Sequence, residues 1–211
     1  MNKLLMLGLL TQLLIFSLLG SVLAEIRSPE AIIEQTSTQL LDIINTESDR
    51  IREDAEFVDS IVNDIILPII DLQSMAKLIL GKHWKGASEQ QRSDFINEFK
   101  NMLIRTYAKS VADFGHAEIV IIPNPEGQKG KFYRVKTQVT LSGNPPLNVD
   151  YIFRQQQDMQ WKAFDLVVDG LSMIKNFRSS FSQEIEETSL DALIDRIKNT
   201  NSGEEVVSGA V

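Results

Sequence analysis

Gly170-Leu171-Ser172 stands where an apolar, strand-like run gives way to a helical pattern carrying Ile174, Phe177 and Phe181. A serine on such a junction can act as a nucleophile when the motif is Gly-x-Ser-x-Gly and a histidine lies within hydrogen-bond reach. Neither condition is met: no second glycine follows at the required spacing, and the two histidines, His83 and His116, have no recognisable partner beside them. Ser172 therefore reads as the N-cap of the helix that follows. The same histidines lack His-x₃-His or Glu-x-x-His spacing, and the chain has no cysteine to complete a metal site. Asp165 and Asp169 share a strand face but lie about 13 Å apart, too far to share a proton. An acid–base enzyme built on one buried aspartate stays open, with Asp165, Tyr107 and Tyr151 as its candidates.

The elements that would position these residues fall into three blocks. Ser28-Pro29-Glu30 starts a helix whose apolar spacing runs from Ile32 to about Asn45. A second amphipathic run, Phe57 to Ile65, stops near Pro68, and Asp71 caps a short helix that Gly81 ends. Ser88 and Gln91 form a capping box that opens the longest helix, from Phe95 towards Gly115. Four β-branched and aromatic runs follow, AEIVIIP, KFYRVKTQVTL, LNVDYIFRQ and WKAFDLVVD, separated by hairpin-length turns. Two helices close the chain, one from about Gly170 and one near Leu190–Lys198. Helices, then strands, then helices give an α+β fold: a curved antiparallel sheet of at least four strands on long helices, a cone of the NTF2-like kind.

At the N-terminus, Lys3 precedes an apolar run ending in Val22-Leu23-Ala24, the pattern of a signal peptide cleaved after Ala24. An uncleaved membrane anchor is the alternative, but Thr11, Gln12 and Ser17 weaken it. No cysteine follows the apolar run, which excludes a lipid-anchored lipoprotein. Residues 25–200 are then one domain and 201–211 a disordered tail. Cleavage removes Lys3 and takes the formal net charge from −8 to −9. A surface of that sign disfavours nucleic acid and anionic bilayers as direct partners. An exported chain without cysteine fits the periplasm of a Gram-negative cell.

Met102, Leu103, Tyr107 and Val111 on the long helix would face Val135, Val139, Val149, Tyr151 and Phe153 on the sheet. Periodicity alone cannot distinguish a filled core from the wall of a cavity.

Residues 71–108 contain Leu80-Gly81-x-x-Trp84, Ala87-Ser88, Gln91-Arg92, Phe95, Phe99 and Thr106-Tyr107-Ala108. Further on stand Val149, Tyr151, Trp161-Lys162, Asp165, Gly170-x-Ser172, Arg178-x-x-Phe181 and Leu193-Ile194. Together, and in this order, they resemble the periplasmic phospholipid-carrier family of the Mla pathway, also called the toluene-tolerance auxiliary component. Phe177, where a tyrosine is common, Thr188-Ser189 and Ala76-Lys77 depart from the family pattern.

The resemblance implies a monomeric, non-catalytic shuttle without cofactor, carrying diacyl phospholipid as cargo and maintaining outer-membrane lipid asymmetry. It implies partners at both membranes: an inner-membrane ABC transporter with its MCE-domain protein, and an outer-membrane lipoprotein–porin complex. The expected acyl-chain lining is Leu80, Met102, Leu103, Tyr107, Val111, Val139, Val149, Tyr151, Phe153, Val167, Leu171, Ile174, Phe177 and Phe181. A small-molecule binding module serving an exporter is the remaining alternative to a carrier or an enzyme.

Overall fold

The structure, a computed structural model, describes residues 26–111, 116–141 and 143–202, with side chains given up to Tyr107 in the first stretch. The expected signal segment 1–24, the side chain of Val111, the helix end at Gly115 and the tail from 203 lie outside the described residues.

Helix α1 (Pro29–Glu53) begins as its sequence dictates: the Ser28 hydroxyl accepts from Ala31 N at 3.2 Å, and Pro29 occupies the first turn. It runs eight residues past the expected stop at Asn45, through a non-helical residue at Glu47 (φ −126°, ψ 26°). Beyond that kink Ile51 is buried, and Arg50 pairs with Glu47 and Asp54, so one apolar anchor and local ion pairs sustain the last turns. Asp54 ends α1 and caps α2 (Ala55–Ile61), accepting from Phe57 N at 3.0 Å. A π turn (Val62–Ile66) and a 3₁₀ turn (Leu67–Ile69) carry the chain past Pro68.

Helix α3 (Leu72–Leu80) is capped by Asp71, which accepts from Ser74 N at 2.9 Å. It ends at Gly81, whose φ of 53° suits glycine. The expected capping box opens α4 (Glu89–Val111): Ser88 N donates to Gln91 Oε1 at 2.9 Å and Gln91 N to Ser88 Oγ at 3.1 Å. The closing helices are α5 (Met173–Glu187) and α6 (Leu190–Ser202), so the last helix includes two residues of the expected tail.

The strands are β1 (Glu118–Ile122), β2 (Gln128–Lys129), β3 (Phe132–Thr140), β4 (Leu147–Gln155), β5 (Trp161–Val168) and β6 (Leu171–Ser172). They form one open antiparallel sheet in the order β1-β3-β4-β5-β6, with β2 paired to the end of β3. The four long strands are those expected; β2 lies in the turn before β3, and β6 occupies Leu171–Ser172, so the closing helix expected from about Gly170 begins at Met173. The fold is the expected α+β arrangement.

Among the described residues three separate cores hold it. The largest is helical: Ala76, Ile79, Leu80, Phe95, Phe99, Ile174, Phe181 and Leu193 join α3, α4, α5 and α6. Phe99 lies at its aromatic centre, stacked on Phe95 at 5.7 Å and edge-on to Phe177 at 5.1 Å. The second seats Ile32 and Ile33 of α1 on Val135, Phe153, Trp161 and Ala163 of the sheet. The third joins Ile44 and Ile51 of α1 to Val58 of α2, with Ile104 of α4 packed against it.

An apolar sheet face that no core claims

Residues paired directly across neighbouring strands, and those two apart along a strand, share a face. The register Ile119↔Val139↔Leu147 and Thr137↔Val149↔Val168↔Leu171 places these residues on the face that α1 packs against. Val135, Tyr151 and Leu166 form the next row. At the Phe153 end this face is filled by Ile32 and Ile33. At the other end it is not. Val139 and Val149 are buried, 8% and 7% exposed, yet among the described residues neither joins any of the three cores. Ile119, Leu147, Leu166 and Val168 beside them are only half-buried. Leu171, at the rim of the sheet, is 74% exposed.

The local backbone explains this placement. Asp169 and Gly170 have φ of 45° and 84°, the two-residue turn that joins antiparallel strands with the correct twist. Asp169 Oδ1 accepts from Asn148 N at 3.0 Å, which ties the turn to the start of β4. Leu171 is thereby set opposite Val168 rather than released into a loop. Thr137, fully buried in the same face, donates its hydroxyl to Val149 O at 2.8 Å and so presents no free polar group.

The residues expected to line a cavity fall into separate groups. Val139, Val149 and Leu171 stand on the unclaimed part of the sheet face, and Tyr151 stands at its border, packed against the second core. Phe153 is on the same face but sealed beneath α1. Leu80, Ile174 and Phe181 are buried in the helical core, with Met102, Leu103 and Phe177 packed against it. Tyr107 lies 44% exposed on α4. Val167 pairs with Asp150 and Ser172 on the opposite face.

A bulge causes that last reversal. Phe153 pairs with Ala163 but Ile152 pairs with Asp165, so Phe164 is an extra residue in β5. Simple alternation from Trp161 and Ala163 would carry to Val167; the extra residue moves Leu166 and Val168 onto the α1 face instead. Ile119, Leu147, Leu166 and Val168 belong to the same unclaimed face and were not singled out by sequence reasoning. The signal for the last two was the run Ala163-Phe164, where two apolar residues break the alternation.

Two of the catalytic candidates, Asp165 and Ser172, are engaged with each other and with the backbone. Asp165 accepts from the Ser172 hydroxyl at 2.6 Å, from Leu166 N at 2.9 Å and from Ile174 N at 3.1 Å. Ser172 in turn accepts from Lys175 N at 3.1 Å, so the pair caps α5. The His83 ring nitrogen Nε2 lies 3.2 Å from the Ser182 hydroxyl. Among the described residues no group of three or more His, Asp or Glu is placed to hold a metal ion, and no helix is long and apolar enough to cross a membrane. Two clefts of about 630 and 490 Å³ open on the helical side, lined by groups such as Lys77, Arg92 and Asn97, or Lys175, Arg178 and Glu186. Charged and polar side chains stand in both linings, and neither cleft includes a residue of the sheet.

The structure is similar to the solved structure of a phospholipid-binding protein from Ralstonia solanacearum in complex with a phospholipid, with a TM-score of 0.77, covering 84% of this chain and 99% of that one at 21% identity. At that identity the likeness establishes the fold. The chain is 23% identical to the intermembrane phospholipid transport system binding protein MlaC of Haemophilus influenzae, over 83% of each chain. It is 26% identical to the toluene tolerance protein ttg2D of Pseudomonas putida, over 89% of this chain and 86% of that one. The sequence matches the family described as MlaC protein across residues 34–199, most of its length, and the chain belongs to that family.

Proposed function

We propose that this protein is a phospholipid carrier that shelters the acyl chains of a diacyl lipid against the unclaimed half of the sheet. The observation that carries the reading is an apolar wall, Val139 and Val149 with their half-buried neighbours, that belongs to no core and opens at Leu171. The names of its relatives, a transport-system binding protein and a phospholipid-binding protein, support the choice of cargo. The proposed lining is Val139, Val149, Tyr151 and Leu171, extended by Ile119, Leu147, Leu166 and Val168.

The energetics suit a shuttle. Two acyl chains carry about 30 methylenes, and exposing them to water would cost on the order of 24 kcal/mol. An apolar wall and a bilayer each cancel most of that cost. Transfer between them lies near balance, and direction must come from a partner that consumes energy. We assign the carrier to the periplasm. Its partners there are an inner-membrane ABC transporter with an MCE-domain protein and an outer-membrane lipoprotein–porin complex, and its role is to maintain outer-membrane lipid asymmetry. The acidic surface, at a formal net charge of −8 before any cleavage, favours loading at such protein receptors over direct docking on anionic lipid.

Native mass spectrometry of protein purified without detergent from a Gram-negative periplasm tests this. The expected result is a stoichiometric adduct of diacyl phospholipid mass, identified after organic extraction. Protein that arrives empty and takes no lipid from vesicles overturns the reading.

A further inference from the structure

Three hydroxyl groups stand on the α1 face of the four long strands: Tyr133, Thr137 and Tyr151. Tyr133 donates to a Glu30 carboxylate oxygen, and Thr137 donates to Val149 O. Tyr151 makes no hydrogen bond among the described residues. Among those residues the one sealed polar side-chain atom without a partner is Asn201 Oδ1, so the Tyr151 hydroxyl opens onto accessible space.

Its position is a boundary. Its ring packs against the core beneath Ile32 and Ile33, while its cross-strand neighbour Leu166 belongs to the unclaimed wall. Burial pushes the phenol pKa above its ordinary value of 10.0, which keeps the proton on the oxygen at neutral pH. A donor in an apolar wall is a cost to any ligand that displaces water and offers no acceptor. Hydrocarbon offers none. A phosphate would need a cation beside it, and the register places no lysine or arginine on this face of β1, β3, β4 or β5. The acceptor that remains is neutral and travels with the chains: an acyl ester carbonyl, where each chain joins the glycerol.

We propose that the Tyr151 hydroxyl donates a hydrogen bond to an acyl ester carbonyl of the bound lipid, fixes how far the chains enter, and selects ester-linked over ether-linked lipid. The inference rests on the carrier reading above.

Detergent-free protein is incubated with vesicles holding equal amounts of dihexadecanoyl phosphatidylglycerol and its dihexadecyl diether analogue, and the adducts are counted by native mass spectrometry. The two probes share headgroup and chain length and differ in the carbonyls. The wild type takes the diester in about five-fold excess, the worth of one neutral hydrogen bond. Tyr151→Phe keeps the ring and takes both equally. Tyr133→Phe, altered in the filled half of the face, keeps the preference. Equal uptake by the wild type, or a preference that survives in Tyr151→Phe, overturns the inference and leaves the carrier standing. Failure of the wild type to bind either probe overturns both.

Discussion

The Ser172 hydroxyl lies 2.6 Å from Asp165 Oδ2, and the two residues that most invite a catalytic reading are spent on each other. Asp165 also accepts two backbone N–H groups, one from the bulged strand β5 and one from the first turn of α5. A carboxylate held at a helix N-terminus by three donors is a structural clamp. It fixes the direction in which α5 leaves the sheet, and with it the rim that carries Leu171.

Asp165→Ala removes that clamp and leaves the N–H of Ile174 without its partner. A loss of about 2–3 kcal/mol is expected in urea unfolding. Asp165→Asn retains an acceptor for both backbone groups, and its amide can donate to the Ser172 oxygen, so its loss is about 1 kcal/mol. Equal, negligible losses in the two variants would show that the contacts do not hold the helix.

Stability and lipid retention separate along the division between core and unclaimed wall. Phe99 is fully buried, with ring contacts to Phe95, Phe177 and Phe181, and Phe99→Ala is expected to cost about 3–5 kcal/mol. Protein that remains folded keeps its lipid. Leu171→Glu does the opposite: at an exposed site its unfolding free energy changes by less than about 0.5 kcal/mol, while lipid content falls sharply. Paired urea titrations and lipid extractions on the two variants decide. Full lipid content in Leu171→Glu would remove the rim from the binding site.

Helix starts were legible because they are written locally: Ser28, Asp71, Ser88 and Ser172 each cap the helix that follows. The strands were legible from their composition and turns. The site was legible only in part. Ile174 and Phe181 carry the same apolar spacing whether they meet a ligand or Phe95 and Phe99, and only tertiary packing assigns them to the helical core. Val167 was misplaced for a different reason. One extra residue in β5 reverses the faces beyond it, and a bulge is a pairing between strands that one strand's pattern does not state.

Gly170→Ala tests the turn that presents the rim. Nothing lies within 4 Å of where a Cβ would sit, so the substitution meets no clash and its cost is the positive φ of 84° alone. About 1 kcal/mol is expected. Loosening this turn also frees Leu171 from its place opposite Val168, so slower uptake of lipid from vesicles should accompany the loss. Unaltered stability would mean that the turn is not held in this geometry in solution.

Acid should weaken the join between helix and sheet at Asp71. Burial works to raise the pKa of its carboxyl, but Ser74 and the Arg154 guanidinium outweigh burial and hold it below its ordinary 3.8. Ser74 N lies 2.9 Å from Oδ1, and Arg154 Nη2 lies 2.7 Å from Oδ2. A carboxyl whose pKa is lower in the folded protein than in the unfolded chain stabilises the fold fully above the unfolded value. That contribution disappears as pH falls from about 3.8 through the lower folded value. Asp71→Asn keeps an acceptor for Ser74 N and loses the charge, so it should be less stable than the wild type at pH 7 by about 1 kcal/mol. The difference between the two proteins should narrow as pH falls below about 4, whatever the other acids do to both. Urea midpoints of the pair across that range measure it. A gap as wide at pH 2.5 as at pH 7 would mean that the charge on Asp71 does not contribute to the join.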